Sequence, residues 1–426
     1  MDIAVAAALC AVGFGIGCVS GLTPGLHVNN LALLLAAVAP GVGFASPAAL
    51  GVALVTASVT HTFLDIIPSV VIGVPDESMA LVALPGHRMV LDGDGREAVV
   101  LSAAGSMLAV VFGFGVAVPV ALVMSRAYPV VSGYMPYILA ATVVFLVATE
   151  RGGEVGRSGR AGGRGAIAVR AKAVVVLGAS GLLGYYVLTH SPGAEAVVGE
   201  PSLLTPLFVG LFGVPILVAS ASENAEIPEQ DGDGVALSRR SVAVHAVGGG
   251  VAGSIVGWLP GVSPAVATGF VQSLLPDSET EPESMREFIV AVSGVDSSNA
   301  VFALLALYFI GFPRSGVMVA LDRLELSLNA GTVGVYLVAV AVVSVASFLL
   351  TVTLGRYAFG VVRRFNYRVL SAGVIVLLVG VTFVFSGFVG LPILVASTVV
   401  GLMPNYSRVR RVNCMGALLL PLIVIL

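Results

Sequence analysis

In a chain of 426 residues, 57% are hydrophobic and only 11% charged, with a mean hydropathy of +1.03, whereas a soluble domain keeps about 25% charged. That composition excludes a water-soluble fold, and a net charge of −3 gives no reason to expect nucleic acid as a partner. The apolar stretches are continuous rather than alternating segments of about ten residues, which excludes an outer-membrane barrel and leaves internally hydrogen-bonded helices.

Met1 and Asp2 lead into the first apolar run, 3–19, without a basic stretch or a small-residue cleavage site, so this run reads as a retained membrane helix. It is glycine-rich at Gly13 to Gly17 and ends in Gly21-Leu22-Thr23-Pro24-Gly25-Leu26. A Pro-Gly pair inside an apolar run removes a backbone donor and frees carbonyls, which lipid tolerates only where protein or water satisfies them. Such a break therefore lines a cavity. Thr23, Pro24, Gly25, His27 and Asn29, with Asn30 beside them, are the candidate substrate contacts: a helix starting near Pro24 would aim free N–H groups at a carboxylate or phosphate. The alternative is that they only cap that helix and pack.

Thr60, His61 and Asp65 come next, with His61 and Asp65 at i and i+4 on one helix face. In low dielectric this pair either takes up and releases a proton or holds helices together as a static hydrogen-bonded pair. A second break, Ile72-Gly73-Val74-Pro75, precedes Asp76 and Glu77, which either bind a coupling cation or sit in an aqueous loop. Apolar runs follow at 98–123, 137–148 and 174–188. Between the last two lies a Gly-rich basic segment with Arg151, Arg157, Arg160, Arg164, Arg170 and Lys172, which the positive-inside rule places in the cytoplasm. Arg239-Arg240, 356–368 and 408–411 read as cytoplasmic ends as well. The acidic stretch 276–287 and the loop around Glu195 and Glu200 read as external.

The second half repeats the first. Gly257-Trp258-Leu259-Pro260-Gly261-Val262 follows the first Pro-Gly element by 236 residues, and Ile310-Gly311-Phe312-Pro313 follows the Pro75 element by 238. Ser263, Thr268 and Gln272 after Pro260 and Gly261 mirror the first cluster, Ser263 being either an anion donor or a cap. Asp296, Ser297, Ser298 and Asn299 stand in register with 58–61, and carboxylate, hydroxyl and amide oxygens suit sodium or a substrate carboxylate. Arg314 offers a guanidinium fork for an anion, or snorkels to the interface. Trp258 is expected to anchor at the interface or to pack. Cys10, Cys18 and Cys414 have no metal-ligand or disulfide spacing and read as small core residues.

The expected fold is an all-α polytopic membrane protein with about 10 to 12 membrane segments. Its two homologous halves are expected to be inverted, with broken or re-entrant helices at the midplane. The division is 1–150 as the first transmembrane repeat, 151–172 as a cytoplasmic Gly/Arg linker, 173–222 as connecting helices, 223–240 as a polar loop and 241–426 as the second repeat.

On these same elements the chain resembles the large permease of the tripartite tricarboxylate transporter family, the TctA type, in a short archaeal form. The resemblance rests on Gly21 to Gly25, on Pro260-Gly261, and on Asn299 followed by Gly311-Phe312-Pro313-Arg314-Ser315, with Ile72 to Asp76 as its first-half counterpart. Arg314 and Asp76 stand where that family usually has glycine. The resemblance implies citrate-like or other carboxylate uptake driven by an ion gradient, with a small membrane subunit and a solute-binding protein as partners.

The function expected is a secondary active transporter of a small organic anion, a tricarboxylate or dicarboxylate, in the cytoplasmic membrane. No cofactor is expected beyond Na+ or H+ as coupling ion, and a homo-oligomer is compatible with the sequence. His61, Asp65, Asp76, Asp296 and Ser297 are the ion-coupling candidates; Pro260, Gly261, Ser263, Asn299 and Arg314 complete the substrate set. The alternative is a translocase for polyprenyl-phosphate or another lipid phosphate. An intramembrane enzyme ranks behind both, because no nucleophile elbow or His-Glu-x-x-His motif is present.

Overall fold

The computed structural model describes residues 2–38, 46–74, 79, 82–150, 163–190, 195–197, 201–222, 228–230, 234–259, 264, 267–268, 271, 280–324, 328–362 and 367–425. The helices in chain order are α1 (Ile3–Leu22), α2 (Val28–Val38), α3 (Pro47–Leu64), α4 (Ile66–Val71), α5 (Ala83–Leu91), α6 (Gly95–Gly133), α7 (Met135–Ala148) and α8 (Gly163–Thr189). Then come α9 (Leu204–Phe208), a π-helical turn (Val209–Gly213), α10 (Val214–Ser222), α11 (Arg239–Val256), α12 (Glu281–Ile310) and α13 (Gly316–Asp322). The chain closes with α14 (Ala330–Val362), α15 (Tyr367–Ser407), a 3-10 turn (Arg411–Met415) and α16 (Gly416–Ile425). Local chemistry sets several starts: the side chains of Asp2, Ser46, Ser238 and Ser315 each accept from a first-turn N–H of the helix that follows.

Among the described residues seven helices are long and apolar enough to cross a membrane, and three shorter apolar helices accompany them. The protein is therefore an all-helical, multi-pass membrane protein. Two spans differ from the rest. The most apolar stretches of Pro47–Val71 and Pro282–Ile310 are 94% and 89% buried, against 28–39% for the other five. These two form the centre, and the others present apolar side chains such as Val118, Leu182 and Val338 to lipid.

Each central helix is gripped by a glycine helix through the same joint. A Cβ on Gly13 would meet Ala53, one on Gly17 would meet Ala57 and Thr60, and one on Gly21 would meet Leu64. In the second half, Gly249 faces Ala291, Gly253 faces Val295 and Ser298, and Gly257 faces Phe302. The glycines are related by 236 residues and their partners by 238, the shifts of the two sequence elements. Small residues every fourth position let backbones approach closely, which is how helices associate where lipid removes the hydrophobic drive.

The two joints run in opposite directions. Along α6 and α12 the contacts Glu97–Arg286, Ser102–Ser293 and Gly113–Phe302 advance together, so these helices are parallel. Between α14 and α3, Tyr336 bonds Ala48 and Thr351 bonds Phe63, also parallel. Between α14 and α6, Gly355 meets Val99 while Phe359 meets Gly95, which is antiparallel. Hence α1 and α3 run against α11 and α12, and the halves are inverted as expected.

At the end where α6, α11 and α12 begin and α14 finishes, Arg286 donates to Glu97 at 2.8 Å and to Asp94 at 2.6 Å. Glu97 also accepts from the Ala236 N–H, and Gln230 accepts from Gly95 N–H and donates to Val90, tying 228–230 and 234–237 to this end. On α11, Ser241 donates to Glu287 of α12 at 2.6 Å. This corrects one expectation. Arg239-Arg240 and Arg286-Glu287 share one end of the molecule, so Arg286 and Glu287 cannot be external while 239–240 is cytoplasmic. The charge count was misleading because Glu287 is bonded to Ser241 of α11 and Arg286 to Asp94 and Glu97 of the α6 end, while 272–279 lie outside the described residues. Removing one member of a buried ion pair strands the other, at a cost of about 3–5 kcal/mol. Arg286→Ala should therefore lower the thermal unfolding temperature sharply, and Glu97→Gln in the same chain should restore part of the loss.

Candidate functional site

The first break is a helical hairpin whose tip points into the protein. Thr23 ends α1, donating its N–H to Val19, and Leu26 N–H closes a turn onto Thr23. Gly25 has φ +77°, a conformation that favours glycine, and a Cβ there would strike Leu378 of α15. The chain then reverses: Leu35 of α2 packs with Leu9 and Ala49, near the starts of α1 and α3. The helix after the break begins at Val28, not near Pro24, because residues 23–27 are used by the turn.

The wall facing this tip is a second interruption. Pro68 has no N–H for the carbonyl of Leu64, and the helix from Pro47 breaks at Asp65, whose carbonyl is met by the Ser69 hydroxyl at 2.6 Å. Between tip and wall is a cavity of about 10 Å³, lined by Ser20, Thr23, Pro24 and Gly25 on one side and His61, Asp65 and Pro68 on the other. That volume admits roughly one water or a bare ion, far less than a carboxylate substrate. His61 is buried, its Nδ1 shares a hydrogen bond with the Ser20 hydroxyl at 3.0 Å, and its ring stacks on His27 with centroids 5.4 Å apart and planes 23° apart. Two candidate clusters read separately from the sequence thus meet in one place. The depth is central: Thr62, next to His61, reaches Ser297 at 3.3 Å, about halfway along α12.

Other candidates lie elsewhere. Asn29 does not line the cavity; its side-chain oxygen accepts the Val317 N–H at 3.0 Å, capping α13 of the other half. Asp296 is buried on α12 beside Ser297, and Ser298 donates to the Gly250 carbonyl, so part of the polar run 296–299 serves the α11 joint. Asn299 is half-buried beyond it. Arg314 is held between the rings of Tyr128 (4.8 Å) and Phe312 (4.4 Å), outside the cavity wall. Trp258 is fully buried against Phe302 and Leu305, so it packs rather than anchors at an interface. Pro75, Asp76, Glu77, Pro260, Gly261, Ser263 and Gln272 lie outside the described residues, as does the linker 151–162; Thr268 is buried and bonds Pro264. The residue that sequence reasoning missed is Ser20, whose signal was its place one residue before the Gly21 element.

The sequence pattern of the tripartite tricarboxylate transporter TctA family matches residues 7–416. The chain belongs to this family. Membership makes it a component of a tricarboxylate transporter, and TctA proteins in general work with membrane-subunit and solute-binding partners. The chain is also 28% identical to an uncharacterized protein, MJ1079, of Methanocaldococcus jannaschii, over 97% of each chain. No solved structure matches. Both glycine joints and the first hairpin fall within the span matched to the TctA family.

Proposed function

We propose that this chain is the carrier subunit of a secondary active transporter, moving a tricarboxylate or dicarboxylate across the cytoplasmic membrane on a sodium or proton gradient. The observation that supports this best is the meeting of a broken hairpin with His61 and Asp65 at mid-depth, since paired interrupted helices are where secondary transporters bind their solutes. Thr23 and His27 supply polar groups beside the N-terminus of α2, whose dipole favours a carboxylate. His61 and Asp65, with Asp296 and Ser297 behind Thr62, are the ion-coupling groups in this reading. Pro260, Gly261 and Ser263, in the repeated Pro-Gly element of the sequence, complete the substrate set in this reading together with Asn299 and Arg314. The cavity of about 10 Å³ holds an ion rather than a carboxylate, so in this reading the solute is taken up with a movement of the hairpin that widens it.

The test is uptake of labelled citrate and other di- and tricarboxylates into proteoliposomes under imposed sodium or proton gradients. Saturable uptake that needs one gradient is expected; uptake indifferent to gradient and substrate would overturn the proposal. One observation favours a lipid-phosphate translocase instead: Arg314 lies against Phe312, which is 48% exposed on the outer surface of the bundle. Polyprenyl-phosphate that blocks carboxylate uptake in the wild type and not in Arg314→Gln would support that second reading.

A further inference from the structure

The N–H of Asn29 donates to Nδ1 of His27 at 3.2 Å, and the side-chain oxygen of the same Asn29 accepts the N–H of Val317 at 3.0 Å. A backbone N–H has one proton to give, so His27 must be the acceptor, with Nδ1 bare. His27 thus caps α2 only while its ring is neutral. Asn29 in turn ties the tip of the first hairpin to α13 in the second half, and Gly316 admits it closely: a Cβ on Gly316 would lie 2.6 Å from the Asn29 Cβ.

We infer that His27 is a proton-binding site whose occupation releases this latch. A proton on Nδ1 removes the acceptor of the Asn29 N–H and places a positive ring at the N-terminus of α2, where the helix dipole opposes it. It also sets an imidazolium against the stacked His61 ring. On the His61 side the acidic group is Asp65, which lines the cavity together with His61. On the α13 side the charged groups are Arg314, engaged by the Tyr128 and Phe312 rings, and Asp322 and Arg323 at the far end of the helix; Leu378 and Val209, packed on Gly25 at the tip, carry no charge. The latched form binds fewer protons than the released form, so the latch holds above the range in which the ring titrates and is lost as pH falls through it. This deepens the carrier reading by giving the proton a mechanical effect on the hairpin that encloses the site.

The inference is tested without substrate, so that it and the carrier reading fail separately. Hydrogen–deuterium exchange is followed on the full-length protein in lipid nanodiscs between pH 8 and 5, corrected for intrinsic rates, in peptides covering Asn29 and Val317. Protection there should fall by about tenfold or more as the pH drops, while peptides from the middle of α12 stay protected. His27→Asn offers a side-chain oxygen that accepts at every pH, and should keep protection throughout; His27→Ala should be unprotected throughout. Wild-type protection that does not change with pH, or His27→Asn losing protection in step with the wild type, overturns the inference.

Discussion

Gly17→Val and Gly253→Val should each lower the unfolding temperature of the purified protein far more than Gly15→Val. A Cβ on Gly17 would lie 2.5 Å from the Thr60 Cβ and 2.6 Å from the Ala57 carbonyl oxygen; on Gly253 it would lie 2.3 Å from the Val295 oxygen. Backbone atoms cannot rotate away, so the helices must separate along the joint, and overpacking of this kind costs about 1–3 kcal/mol or more. Gly15 is one turn position away on α1 with nothing within 4 Å of its Cβ position, and it controls for the helix-propensity effect of valine. Equal unfolding temperatures for Gly15→Val and Gly17→Val would mean that the α1–α3 seam is not the close contact described.

Asp65→Asn should abolish gradient-driven uptake while leaving the fold intact. The substitution keeps the size and most of the hydrogen-bonding capacity of the side chain and removes only its charge at the cavity. If Asp65 holds the coupling ion beside His61, uptake should fall by about 100-fold, equivalent to roughly 2.7 kcal/mol. The unfolding temperature should stay near that of the wild type, and a carboxylate substrate should still raise it, because a ligand of the folded state stabilises it. Full gradient-driven uptake by Asp65→Asn would remove this residue from ion coupling.

Much of the fold was legible because lipid leaves the chain few options. Continuous apolar runs had to be helices and Pro24-Gly25 had to interrupt one of them, whereas the close seam made by the glycines four residues apart is seen only with their partners on α3 and α12. The two halves followed from two elements repeated at nearly one spacing; their opposite direction follows from the contacts of α6 and α14. What the sequence hid depends on distant partners. The start of α2 at Val28 follows from the Gly25 turn seated on Leu378 of α15. Asn29 looked like a substrate contact because its partner, the Val317 N–H, is 288 residues away. The acidic stretch up to Glu287 looked external because charge was counted without the pairing of Arg286 to Asp94 and Glu97. The rings that hold Arg314 come from its own turn and from Tyr128 near the end of α6, the latter a partner 186 residues away that its surroundings in the sequence did not show.

The oppositely directed glycine seams have a consequence for energetics. A movement that loosens one seam and tightens the other yields a molecule in which the two sides of the bilayer have traded places. The strain of that rearrangement is then the difference between two near-copies of a single joint, rather than the cost of building a new one. In the carrier reading proposed above, such a molecule would sit close to balance, and a modest ion gradient would suffice to set its direction.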